Sequence, residues 1–215
     1  MRDLIYRART RLMTTVLSRI SRAETVRIGG VELTVAEGVH HPAPLFGISV
    51  AGLQDAAVAR LAEKSRVLEL GTGAGYWALS AARRGFDVTA TDLPEVPLEP
   101  LQAAAAKLGV TVRTLSSDLF AALPGERFDA VLFNPPFHDA EPRTAEERAW
   151  CGRSVMQRLF DELPSHLTEK GSGWILLPRA EQERYAPQLS RYRVEPRASQ
   201  WFPILGTVEL LQLTP

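Results

Sequence analysis

The sequence predicts an α/β fold built on a mostly parallel sheet with helices on both faces. Three observations carry that expectation. Residues Arg66–Ala82 read as a strand, a glycine-rich turn and a helix. Short apolar runs then alternate with helical patterns to the end of the chain, as sheets covered on both faces require. A fourth apolar run, Phe128–Phe133, goes directly into Asn134-Pro135-Pro136-Phe137. Two successive prolines cannot continue a ladder, so this run must end at one edge of the sheet.

Composition sets the bounds. The 215 residues fit one domain with an N-terminal appendage. Apolar residues make up 45% and charged residues 23%, ordinary values for a globular chain that buries a core. Lys+Arg and Asp+Glu both number 25, so the net charge is zero and no global attraction to nucleic acid is expected. Cys151 is the sole cysteine, so no intrachain disulfide forms, which is compatible with a reducing cytoplasm. No apolar run is long enough to cross a bilayer, and the N-terminus lacks a continuous signal-peptide core.

Residues 1–24 are expected to form a basic amphipathic helix. Arg2, Arg7, Arg9, Arg11, Arg19 and Arg22 stand against one acid, Asp3, and Leu4, Ile5, Leu12, Met13, Val16, Leu17 and Ile20 recur at helical spacing. Such a helix either touches an acidic partner (RNA, an acidic protein, a membrane surface) or packs its apolar stripe and solvates its arginines. The domain proper is expected over 25–215. Val26–Val35 reads as two short strands about Gly29-Gly30. Gly38-Val39-His40-His41-Pro42-Ala43-Pro44 is held extended by its prolines, and Ser49–Ala62 has a helical pattern.

In the unit that follows, Val67–Leu70 is a buried strand and Gly71, Gly73 and Gly75 form the turn. Glycine lets a ligand approach the backbone, and the helix beyond presents free N–H groups. The G-x-G-x-G spacing departs from the G-x-G-x-x-G of dinucleotide folds. A second strand, Phe86–Thr91, ends at Asp92, about 20 residues on, where a nucleotide-binding unit places its ribose carboxylate. Leu101–Leu108 is a helix led by Pro97 and Pro100 and closed by Gly109. Val110–Thr114 is the third strand, followed by Ser116-Ser117-Asp118-Leu119-Phe120, where Asp118 suits a turn cap. After the fourth strand, Asp139–Arg148 is a charged loop, either a substrate lid or a solvated connection. Ser154–Leu167 is a helix that Pro164 bends or restarts, closed by Gly171-Ser172-Gly173. Trp174–Leu177 is the fifth strand, Glu181–Leu189 a helix, and Arg191–Glu195 and Val208–Leu213 the last two strands. The aromatic Trp201-Phe202-Pro203 falls in the loop between them. The sheet is thus expected to hold seven strands.

Glu69-x-Gly71-x-Gly73-x-Gly75 resembles motif I of class I S-adenosylmethionine-dependent methyltransferases, and Asn134-Pro135-Pro136-Phe137 resembles motif IV, (Asp/Asn)-Pro-Pro-(Tyr/Phe), of those that modify planar amines and amides. Asn134 in place of Asp argues against the DNA-adenine enzymes. The longer run through His138-Asp139 resembles the rRNA guanine-N2 enzymes of the methyltransferase small domain group, although Ala140 stands where a glycine is usual. Ala149–Met156 is similar to a segment of the release-factor glutamine-N5 enzymes, with one glycine, Gly152, of the usual pair. The resemblance covers about residues 30–215 and implies a Rossmann-like fold with an antiparallel edge.

It also implies S-adenosylmethionine as cofactor. Gly71, Thr72, Gly73 and Gly75 would shape the methionine-side loop, Glu69 would support that loop or the amino group, Asp92 and Leu93 would hold the ribose, and Asp118 with Leu119 the adenine. Asn134 would lie between cofactor and acceptor. With Pro135 and Phe137 it would hold a methyl acceptor: a protein glutamine, an RNA base or a small amine. His40 and His41, in a segment that lies over the cofactor in relatives, and Pro136 and His138 are candidates for the substrate mouth. A conjugated amino nitrogen is a poor nucleophile. Two oxygens that accept its hydrogens turn its lone pair toward the methyl group, and an aromatic face holds its plane. No metal site is expected, because no third ligand stands near the two histidines. A cofactor-binding scaffold without catalysis and a nicotinamide-linked oxidoreductase are the other classes, disfavoured by the intact Asn-Pro-Pro-Phe and by the glycine spacing.

Overall fold

The computed structural model describes residues 24–36, 39, 42, 49–138, 141–142, 146–149, 151–203 and 205–215. The expected basic N-terminal helix (all but Glu24), His40, His41 and half of the charged loop lie outside them. Two antiparallel strands, β1 (Glu24–Ile28) and β2 (Val31–Val35), pair as a hairpin. A seven-stranded sheet follows, made of β3 (Arg66–Leu70), β4 (Asp87–Asp92), β5 (Arg113–Ser116), β6 (Phe128–Phe133), β7 (Leu167–Pro178), β8 (Arg193–Phe202) and β9 (Gly206–Thr214). Its order is β5-β4-β3-β6-β7-β9-β8. Neighbours are parallel from β5 to β7, and β9 pairs antiparallel with β7 and β8. The order reverses beside β3, so a crevice opens past the carboxyl ends of β3, β4 and β6.

The central strands are apolar on both sides because both faces are covered. Along β3, Val67 enters the core on one face and Leu68 and Leu70 the core on the other. In β6, Leu132 joins Val67, while Val131 and Phe133 join Leu70. The first face carries the hairpin with helices α1 (Ala51–Val58), α2 (Tyr76–Ala82) and α3 (Glu99–Leu108), centred on the fully buried Trp77. The second carries α4 (Val155–Glu162), α5 (Arg179–Gln182) and α6 (Ala186–Leu189), with Phe160 and Tyr185 at its centre. Asp55 ties α1 to α2 by accepting from the Tyr76 and Ser80 hydroxyls at 2.8 and 2.6 Å.

Several expected boundaries move, each for an identifiable physical reason. The helix expected over Ser49–Ala62 spans only Ala51–Val58, since the amides of Arg60 and Leu61 turn back to Ala57 and Val58. The third strand starts at Arg113, not Val110, because the Val110 amide closes α3 on the Ala105 carbonyl at 3.0 Å. Pro164 restarts the chain as a 3₁₀ turn, Leu163–His166, after α4. Gly171-Ser172-Gly173 does not close that helix but lies inside the long β7. Pairing with β6 is irregular there, and a Cβ on Gly171 would stand 2.7 Å from the Phe128 carbonyl oxygen. The helix expected over Glu181–Leu189 is two short ones, the second begun by Pro187. The strand expected over Arg191–Glu195 runs on to Phe202, so Trp201 and Phe202 belong to β8 and not to a loop. An edge strand tolerates Pro196, and the register shifts beside it.

Candidate functional site

The register of the sheet brings the singled-out residues to one edge. Leu70 pairs with Thr91 on one side and Phe133 on the other, so Gly71, Asp92 and Asn134 emerge side by side. Gly71, Gly73 and Gly75 all have left-handed φ, at 59°, 52° and 84°. Two of them also lack room: a Cβ would stand 3.1 Å from Phe133 Cε2 at Gly71 and 2.5 Å from Leu101 Cδ1 at Gly75. Gly73 is different. The added Cβ would meet only Val39 Cγ1, at 3.7 Å, so space stays open beside its bare backbone.

Two buried carboxylates hold this loop. Glu69, 3% exposed, accepts from the Thr72 hydroxyl at 2.6 Å and from the Ala78 amide in the first turn of α2 at 2.9 Å. Burial pushes its carboxyl up to about 8 against the lowering effect of both bonds, and nearby Asp92 adds to the rise. Asp92 accepts from the Gly73 amide at 2.7 Å and from its neighbour Leu93 at 2.8 Å. Burial raises its carboxyl above the ordinary range, while the two amides oppose the rise and Glu95 adds to it. The Thr72 amide bonds the Thr91 carbonyl at 2.9 Å, which fastens the loop to β4.

The next loop is fastened to the same strand. The Ser117 amide donates to the Asp92 carbonyl at 2.7 Å, and the Ser117 hydroxyl spans the turn between the Leu119 carbonyl and the Ala122 amide. Leu119 is buried with φ of 51°, a strained value for a non-glycine residue. Asp118 does not cap its own turn with its side chain: its Oδ2 accepts from Arg158 Nη1 of α4 at 2.8 Å. Beside these loops a cavity of about 410 Å³ is lined by Pro94, Glu95, Leu98, Gln102, Thr114 and Ser116.

At the end of β6, Asn134 is exposed, Pro135 buried, Pro136 half-buried, and Phe137 and His138 buried. Three contacts fix this segment. The Tyr185 hydroxyl donates to the Phe137 carbonyl at 2.7 Å. The Phe137 and His138 rings meet edge to face at 4.7 Å. The Gly152 amide donates to the His138 carbonyl at 2.9 Å, beside a parallel bridge from His138 to Cys151. A Cβ at Gly152 would stand 3.0 Å from Pro136 Cγ and 2.6 Å from Val155 Cγ2, so the glycine lets the two segments approach.

The edge therefore gathers Glu69, Gly71, Thr72, Gly73, Gly75, Asp92, Leu93, Asp118, Leu119 and the Asn134–His138 segment. Of the expected site residues, His40 and His41 are outside the described chain. Tyr185 and Arg158 were missed. Nothing in their local sequence marks them, because each meets its partner across about 40 or more positions of chain. Among the described residues no cluster of three or more His, Cys, Asp or Glu is placed to hold a metal, and no helix is long and apolar enough to cross a membrane.

The chain is similar to known proteins in sequence and in fold. The chain is 31% identical over 119 residues to a ribosomal RNA small subunit methyltransferase C of Alcanivorax borkumensis, covering 55% of this chain and 34% of that protein. It is 36% identical over 125 residues to a release factor glutamine methyltransferase of Bordetella pertussis, covering 51% and 46%. The chain thus matches between a third and a half of the length of these curated relatives. Among solved structures, a 16S rRNA N2 methyltransferase of T. thermophilus in complex with AdoMet and guanosine has the same fold, with a TM-score of 0.68 at 23% identity, over 90% of this chain and 50% of that one. The family model of the methyltransferase small domain matches residues 53–192, and the chain belongs to that family.

Proposed function

We propose that this chain is an S-adenosylmethionine-dependent N-methyltransferase whose acceptor is an exocyclic amine or side-chain amide nitrogen, carried by an RNA base or a protein glutamine. The observation that carries the reading is the juxtaposition of Asn134, at the exposed end of β6, with the left-handed glycine loop after β3. The residues fit such a cofactor. Gly73 leaves backbone uncovered where a side chain would stand, and Asp92 and Asp118 put carboxylates at the ends of the two next strands. When bound, the sulfonium supplies an activated methyl group.

The remaining chemistry belongs to the chain. Asp92 and Leu93 hold the ribose hydroxyls, Asp118 and Leu119 the adenine, and Glu69 stiffens the loop from beneath through Thr72 and Ala78. The Asn134 amide oxygen and the Pro135 carbonyl accept the two hydrogens of the acceptor nitrogen. That orients the lone pair and favours the more tetrahedral, more nucleophilic nitrogen. The bonds strengthen as positive charge develops, and the acidic proton of the methylated nitrogen passes to water, so no strong base is needed. Phe137, held by Tyr185 and His138, floors the site under the planar group. Pro136 and His138 shape this floor from within the fold. His40 and His41 belong to the substrate mouth on the resemblance of their segment to the one that lies over the cofactor in similar enzymes.

An RNA base and a protein glutamine present the same planar N–H₂ group, and the curated relatives include enzymes named for each kind of acceptor. The residues before β1 act as a basic arm toward an acidic partner, and the chain from Glu24 on is the catalytic domain. The reaction belongs in the cytoplasm, where ribosomal RNA and release factors are found. Tritiated methyl transfer into a cell lysate, divided by ribonuclease, protease and a size filter, tests the reading. Label lost to ribonuclease gives the RNA base, and label lost to protease gives glutamine. Filterable label, or none despite tight cofactor binding, contradicts the proposal.

A further inference from the structure

We infer that Arg158 is a positioning residue for the cofactor's adenine: it sets the rotamer in which Asp118 receives the exocyclic amino group. The inference rests on the cofactor reading given above. Four observations lead to it.

First, the loop that carries Asp118 is built rather than loose. Ser117 ties it to Asp92, the Ser117 hydroxyl spans the turn, and Leu119 is buried at positive φ. Its backbone is thus fixed, and the remaining freedom is the Asp118 side chain, which is 50% exposed. Second, among the described residues the polar partner of that side chain comes from α4, 40 positions later: Arg158 Nη1 donates to Oδ2 at 2.8 Å. A carboxylate has acceptor capacity beyond that single bond, so an amino group can be received by the same Asp118. Third, Arg158 is held in turn, with its Nε 3.6 Å from Glu162 one turn along α4. A guanidinium is a planar, rigid donor, suited to fixing a carboxylate's orientation.

Fourth, the pair is not there for stability. Arg158 is 38% exposed, and ion pairs at such exposure contribute little to folding. Its removal therefore leaves the fold intact and frees the Asp118 side chain to take other rotamers. The same helix begins just after Gly152, which packs on Pro136. One short element thus connects the acceptor segment with the adenine carboxylate.

The test compares two ligands by calorimetry on the full chain: S-adenosylhomocysteine, and S-inosylhomocysteine, in which an oxygen replaces the adenine amino group. Wild type is expected to favour the adenosyl ligand, and Asp118→Ala to lose that preference. Arg158→Ala is expected to weaken the adenosyl ligand about fivefold while leaving the inosyl ligand within about twofold, and Arg158→Lys to recover part of the loss, at an unchanged Tm. A merely structural role weakens both ligands alike and overturns the inference, as does an unchanged affinity for both. Wild type that binds neither ligand overturns the cofactor reading itself. Wild type that prefers the adenosyl ligand, with Asp118→Ala keeping that preference, leaves the cofactor reading standing and overturns the role of Arg158.

Discussion

Glu69 shows how one buried acid is made to serve a loop. Its pKa of about 8 in the folded chain lies above the ordinary 4.5, so the folded state holds the proton more tightly than the unfolded one. Its contribution to stability is full below about pH 4.5 and is lost as pH rises through about 8. Glu69→Gln cannot lose a proton, so the Tm of wild type is expected to fall relative to that variant between about pH 5 and about pH 9, a trend that differential scanning calorimetry reads. Tyr185 works at the same scale on the acceptor side. Tyr185→Phe leaves the Phe137 carbonyl without its 2.7 Å donor and is expected to cost about 1–3 kcal/mol in urea unfolding, with kcat falling more than KM rises. Glu69 was legible in the sequence, because it stands two residues before the glycine run. Tyr185 and Arg158 were not, because no local pattern records a bond made across the fold.

Elements carry the next level of the account. The glycine turn was legible because alternating glycines after a buried strand have few other uses, and all three adopt the left-handed backbone. Gly75→Ala combines that strain with a Cβ 2.5 Å from the buried Leu101. A loss of about 2–4 kcal/mol in urea unfolding is expected. Boundaries were less legible where glycine and proline have two meanings. Gly171 and Gly173 look like a helix stop, yet they let β7 pass close to Phe128 and Leu163. Pro196 looks like a strand stop, yet β8 is at the edge, where a missing N–H costs no ladder bond. Val110 and Val112 look like strand, yet the first of them closes α3. For the glycines and the proline a tertiary neighbour decides between two readings that are equal in the local sequence, and for Val110 the end of the preceding helix does.

At the scale of the whole molecule, the parallel sheet follows from the succession of apolar runs and helices, and its antiparallel edge from the resemblance to class I methyltransferases. The strand order does not, since it depends on which run pairs with which. The reversal beside β3 is what makes separate motifs into one site: Gly71, Asp92 and Asn134 lie far apart in the chain and adjacent at the carboxyl edge. The central claim is that this edge transfers a methyl group to a nitrogen held by Asn134. Asn134 is exposed, so Asn134→Ala tests that claim without disturbing the core. The measurement is single-turnover methyl transfer by wild type and Asn134→Ala with S-adenosylmethionine affinity measured in parallel. The account predicts a transfer rate lower by about 10²–10³-fold with affinity kept within about threefold. Transfer by the variant at the wild-type rate would contradict it.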